Sequence, residues 1–123
     1  ETDAGEIGAG HTTVCLIEVV LKEGVDLETE QHFGKCVLRY KDPSDAEMNK
    51  EIIKEISKYE SQYSKDFAWA SAVAEFGLVL RKSEFASGAS YESILNNIDK
   101  AGTLDVYKED FRLVVLKASE LEK

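Results

Sequence analysis

Met48-Asn49-Lys50-Glu51-Ile52-Ile53-Lys54-Glu55-Ile56-Ser57-Lys58-Tyr59-Glu60-Ser61-Gln62-Tyr63 reads in two ways, and the choice decides how much β-structure the chain holds. Met48, Ile52, Ile56, Tyr59 and Tyr63 recur at helical spacing. Glu and Lys are good helix formers, so propensity prefers a helix. The centre, residues 51–56, is also short enough to be a strand. The residues by themselves leave both readings open.

Upstream, residues 35–41 alternate. Cys36, Leu38 and Tyr40 fall on one face, Lys35, Arg39 and Lys41 on the other, with Val37 breaking the pattern. That predicts a half-exposed strand, stopped by Asp42-Pro43. Residues 12–21 are rich in Val, Ile and Thr, with Glu18 the single charge. Their apolar side chains point both ways, which predicts a strand covered on both faces. Residues 22–33, acidic and polar, read as a loop, and residues 1–10, with Gly5, Gly8 and Gly10, as a glycine-rich lead-in.

Downstream the pattern turns helical. Residues 66–82 follow Ser64, a suitable N-cap, and carry a stripe of Trp69, Val73, Phe76 and Leu80 flanked by Ala70, Ala74 and Gly77. A second helix follows Ser90 with Tyr91, Ile94, Leu95 and Ile98, and Gly102 suits its end. A third follows Asp105 with Tyr107, Phe111, Val114, Val115, Ala118 and Leu121.

Two or three strands do not make a stable sheet alone in water. Three helices can cover one side of it, and the other side asks for more strands or a partner. The 123 residues therefore read as one domain or a piece of one. The most apolar run, residues 14–21, is interrupted by Glu18 and is too short to span a bilayer. A formal charge of −9 repels phosphates, which argues against nucleic acid and anionic membrane as partners.

Candidate chemistry is sparse. His11 follows the glycines and could act as a general base with a carboxylate such as Glu18, in a small hydrolase or transferase. Ordering the turn is the plainer role. His32 has no ligand spacing to His11, so no metal site is read. Gly5, Gly8 and Gly10 lack the Gly-Lys-Ser/Thr ending of a phosphate loop and precede a strand rather than a helix. Glu23, Asp26, Glu28 and Glu30 lack calcium-loop spacing and read as a solvated loop. Cys15 and Cys36 read as free thiols in strand cores. If their strands pair around a turn near Glu28, the two lie too far apart for a disulfide. The expected sites are therefore none: no catalytic, cofactor-binding or metal-ligating residue is assigned, and no cofactor.

Several segments together resemble one family. Gly5-Glu6-Ile7-Gly8-Ala9-Gly10-His11-Thr12, leading to Glu18, resembles a "GxIGAGHTVTALYE" stretch in bacterial von Willebrand factor type A-domain proteins of the YfbK-like kind. Leu38-Arg39-Tyr40-Lys41-Asp42-Pro43 resembles their "LRYKxP" strand. Asp66-Phe67, Ala72-Val73-Ala74, Phe76-Gly77, Leu80-Arg81 and Ser83 resemble a helix of the same proteins. Ser90-Tyr91, and Tyr107 with Phe111, Leu113 and Val114, resemble their last two helices. Ile17 stands where the family has an aromatic, and Cys15 where it has a small residue.

The resemblance implies a C-terminal region that follows a von Willebrand factor A domain. The metal-binding DxSxS motif would lie in that other domain, since none occurs here. It also implies a strand near residues 51–57 and, weakly, a bacterial cell-envelope location. The fold expected is α+β: a small antiparallel sheet, part of a β-sandwich, followed by a three-helix C-terminal segment. Residues 1–63 would be the β-rich part and residues 64–123 the helical part. The function expected is that of a non-catalytic accessory region. It would bind protein, the A domain of the same polypeptide included, and a homodimer through a sheet edge is open to it.

Overall fold

The computed structural model describes residues 5, 7–30, 32–42 and 44–122, with backbone alone for Asp42 and residues 45–48. The element order is β1 (Gly34–Asp42), β2 (Asp45–Ile56), α1 (Lys65–Leu80), α2 (Tyr91–Lys100) and α3 (Val106–Leu121). This is a small α+β fold, with two antiparallel strands in one sheet and three helices after it. The chain divides into two compact units. One holds the residues up to Glu18 with those from Tyr63 onward, the other Val19–Gln62.

Within the second unit, the ambiguous stretch is a strand as far as Ile56, where β2 ends. The register pairs Lys35 with Glu55, Val37 with Ile53, Leu38 with Ile52 and Arg39 with Glu51. Opposite charges and apolar side chains thus meet directly across the ladder, where cross-strand pairs stabilise a sheet. Arg39 Nε donates to Glu51 Oε1 at 2.6 Å. Helical spacing in residues 48–63 is real, but a partner strand supplies ladder bonds and matched neighbours that local propensity does not register. β1 ends at Asp42 as expected, while Pro43 lies outside the described residues. The ladder shifts register between Lys41 and Asp42.

The strand expected over residues 12–21 is not formed. No ladder joins it to any described segment, and its side chains are exposed. The pairing of residues 12–21 with residues 35–41 around Glu28 is corrected with it, because β1 takes β2 as its neighbour. β-branched composition favours an extended chain but cannot make a strand without a hydrogen-bonded partner. Cys15 and Cys36 are free as expected, yet both are exposed rather than packed in a core. No second sheet is present among the described residues.

The helical unit has a true core. Ser64 Oγ accepts from Phe67 N–H at 3.1 Å, and Asp105 Oδ1 from Lys108 N–H at 3.0 Å, so both expected N-caps are in place. Gly102 takes φ +82°, the left-handed conformation that ends α2. Ala72, Phe76, Ile94, Ile98 and Val115 are buried together, with Trp69, Val79, Tyr91, Leu95, Leu104, Phe111 and Ala118 packed around them. The Phe111 ring meets Trp69 and Phe76 edge-on, each at 5.3 Å between centroids, and so ties α3 to α1.

The buried face of α1 matches the expected stripe only in part: Phe76 is buried and Trp69 packs on the core. Ala68, Ala72 and Phe76 point inward, while Val73 and Leu80 are exposed. Between Phe67 and Leu80 the only charge is Glu75, so the apolar residues surround the helix and periodicity selects no single face. Small Ala72 lies in the same buried cluster as Ile94 and Ile98 of α2. In α3 the expected stripe splits in two. Phe111, Val115 and Ala118 face the core, whereas Tyr107, Val114 and Leu121 face solvent.

Candidate functional site

His11 comes first because it is the residue with catalytic potential in the sequence. Its backbone N–H donates to the Gly8 carbonyl at 3.1 Å, closing a turn in which Gly10 has φ +81°. The imidazole lies against the Gly8 backbone. A Cβ there would sit 3.0 Å from His11 Nδ1, so a side chain at position 8 would make the exposed imidazole shift slightly. Both His11 and Glu18 are exposed, and no hydrogen bond or ion pair joins them among the described residues. A general base needs a partner that orients it. The geometry provides none, and His11 is part of a turn.

His32 is held differently. Its N–H donates to Glu30 Oε1 at 2.9 Å, and its Nδ1 stands 3.6 Å from Glu55 Oε2. Both side chains are mostly exposed, so this pair contributes little. In the acidic loop, Asp26 Oδ1 accepts from Glu28 N–H at 2.9 Å, and the Asp26 carbonyl from Glu30 N–H at 2.9 Å. The Asp26 carboxylate thus serves its own turn. An open depression of about 520 Å³ beside it is lined by Leu27, Glu28, Thr29, Glu30, Ser57, Lys58 and Tyr59. Lys58 Nζ is 2.8 Å from Glu60 Oε1. Among the described residues no group of three or more His, Cys, Asp or Glu is placed to hold a metal ion. Nor is any described helix long and apolar enough to cross a membrane.

The best-organised polar cluster is one the sequence reading did not single out. Glu75 on α1 reaches the N-terminus of α2, where Oε1 accepts from Ser93 Oγ at 2.5 Å and Oε2 from Asn97 Nδ2 at 3.1 Å. Ser90 and Ser93 form a capping box: Ser93 N–H donates to Ser90 Oγ at 3.1 Å and Ser90 N–H to Ser93 Oγ at 3.0 Å. A carboxylate beside a helix N-terminus also suits the helix dipole. The available signal was Glu75 itself, the one charge between Phe67 and Leu80. Through these two bonds the carboxylate joins α1 to α2. Ser90→Ala is expected to destabilise the helical unit by about 1–2 kcal/mol, because it removes the cap and loosens Ser93. Urea denaturation followed at 222 nm checks this, and an unchanged midpoint would contradict it.

Tyr91 is the other unusual group. Its hydroxyl is closed off from solvent and has no hydrogen-bond partner among the described residues. Burial, and after it the charge of the Glu122 carboxylate and its approach to the hydroxyl without a well-formed hydrogen bond, raise its pKa above the ordinary tyrosine value of 10.0. The unfolded chain therefore loses this proton first as pH rises. Stability linked to Tyr91 is complete below about pH 10 and falls above it. Tyr91→Phe is expected to leave the melting temperature at pH 7 unchanged or higher, since a phenyl ring fills the site with no orphaned hydroxyl. A fall of several degrees would show that the hydroxyl is satisfied in solution.

The remaining distinctive feature is uncovered apolar surface. Val14, Leu16, Ile17, Val19, Val20 and Leu21 are between 40% and 94% exposed. Val37, Leu38, Tyr40, Ile52, Ile53 and Ile56 on the hairpin are also exposed. Such surface marks interaction sites more often than it marks catalysis.

Comparison with known protein families finds a match over nearly the whole chain. Residues 1–121 match the family model described as the C-terminal region of the uncharacterised protein YfbK. No curated protein matches the chain, and no solved structure does. With the match running through the turn at His11, the hairpin and all three helices, the chain belongs to the YfbK C-terminal family.

Proposed function

We propose that this region is a non-catalytic interaction module of a von Willebrand factor A-domain protein of the bacterial cell envelope. Its unpaired apolar segments bind protein, and the A-domain part of the same polypeptide is the first partner. The observation that carries this reading is the segment of residues 12–21, six of whose side chains are large, apolar and exposed. Exposed strand-forming sequence is an aggregation hazard unless another chain segment pairs with it. A supplied strand would satisfy its backbone groups and cover its side chains together. The hairpin has the same need, because two strands alone are marginal in water.

The test mixes this chain with the A-domain part of a YfbK-like protein, expressed separately, and follows amide hydrogen exchange. Protection of residues 12–21 and of β1–β2 is expected to rise by about 100-fold or more, as for amides that enter a stable sheet. Unchanged exchange at saturating concentrations would reject the reading. Fractionation of cells carrying the full-length protein tests the location, and recovery in the cytosol alone would reject that part. No observation favours the reading of His11 with Glu18 as a hydrolase or transferase pair.

A further inference from the structure

The face of α3 that turns away from the core has an unusual symmetry. Val106, Leu113, Val114 and Leu121 are 51–87% exposed, and Asp110 and Lys117 are exposed between them. At 100° per residue these six fall within one arc of about 100°. Core residues Phe111, Val115 and Ala118 lie on the adjoining arc. Neither Asp110 nor Lys117 makes an ion pair among the described residues.

The order along the face is apolar, acidic, apolar, apolar, basic, apolar. Reversed end to end, it becomes its own complement. If a second α3 runs antiparallel with a two-fold axis between Leu113 and Val114, Asp110 meets the partner's Lys117, and Lys117 meets the partner's Asp110. Leu113 then packs on the partner's Val114, and Val106 on the partner's Leu121. A parallel arrangement would set Asp110 against Asp110 and Lys117 against Lys117, and like charges in register are disfavoured.

We propose that this face of α3 is a homodimer interface, formed by two copies of the chain packing their α3 helices antiparallel about the Leu113–Val114 step. The contact is isologous, as a two-fold dimer requires. It is independent of the proposed A-domain contact, which involves residues 12–21 and the hairpin. A helix of 16 residues is about 24 Å long. A single such pair sits below the standard interface size, so the dimer is weak, with a dissociation constant on the order of 10–100 µM. The charge of −9 on each copy opposes association and is screened at physiological ionic strength.

Sedimentation equilibrium at 0.15 M salt, over about 5–500 µM chain, tests the proposal. Wild type is expected to pass from monomer to dimer across this range. Asp110→Lys and Lys117→Asp each turn two attractive pairs into two repulsive ones, and each alone should weaken the dimer at least about tenfold. An equimolar mixture of the two variants should associate again as a heterodimer, because its 110–117 pairs are opposite in sign at both ends. Leu113→Gln leaves the charges alone and should also weaken the wild-type dimer. Circular dichroism confirms that each variant keeps its helices. A wild type that stays monomeric throughout overturns the proposal. So does a dimer indifferent to the single reversals, which would use another surface such as the open hairpin edge. A mixture that fails to reassociate, with helices intact, also overturns it.

Discussion

Phe76→Ala is expected to cost the helical unit about 3–5 kcal/mol, the range for removing a buried phenyl ring from a core that cannot collapse around the space. Phe76 is 7% exposed. Its ring packs edge-on against Phe111 at 5.3 Å and faces Tyr91 at 6.4 Å, so a single substitution loosens α1 from both α2 and α3. A unit of roughly 60 residues has a total stability of about 3–9 kcal/mol. The loss therefore leaves much of the unit unfolded at 25 °C. Helical signal at 222 nm and emission from Trp69, the single tryptophan, should fall together. Val73→Ala is the control. Val73 belongs to the stripe that sequence periodicity suggests, but it faces solvent, and its replacement should change stability by no more than about 0.5 kcal/mol. If Val73→Ala proved as costly as Phe76→Ala, the assigned face of α1 would be wrong.

The second large effect comes from adding atoms. Ala72 is fully buried within the cluster that holds Ile94 and Ile98 of α2. Ala72→Leu forces extra side-chain volume into that contact, and overpacking of this kind costs about 1–3 kcal/mol, occasionally more. The expected readout is a lower denaturation midpoint with a loss of near-ultraviolet signal from the aromatic cluster. Ala74→Leu adds the same atoms at an exposed position and should stay within about 0.5 kcal/mol of wild type. Equal behaviour of the two variants would refute the close approach of α1 and α2 at Ala72.

These two comparisons mark where sequence and structure part. The three helices and their starts were legible, because a cap is a local event. Ser64, Ser90 and Asp105 each satisfy backbone donors within three residues of themselves. The end of α2 was legible for the same reason, since Gly102 bears the positive φ at no steric cost. The α2 stripe of Ile94 and Ile98 was legible because charged and polar residues outline it. Family resemblance added the strand over residues 51–56, where propensity alone had preferred a helix.

The inward face of α1 was legible only in part, at Trp69 and Phe76 but not at Ala68 and Ala72, for want of polar residues to mark the outward one. Glu75 was passed over because its partners, Ser93 and Asn97, lie 18 and 22 residues away in the chain. The candidate chemistry at His11 could be weighed from sequence but decided only by geometry, which gives it a turn and, among the described residues, no hydrogen-bonded carboxylate.

By itself, then, the sequence determined the helices and their caps. All of these depend on neighbours within a few residues. Tertiary structure alone decided three other matters: that residues 45–56 pair with β1, that α1 turns Ala68 and Ala72 inward, and that residues 12–21 find no partner strand among the described residues. Each depends on which surface is presented from far along the chain. A strand exists only through its neighbour's hydrogen bonds, and an all-apolar helix takes its orientation from what packs against it.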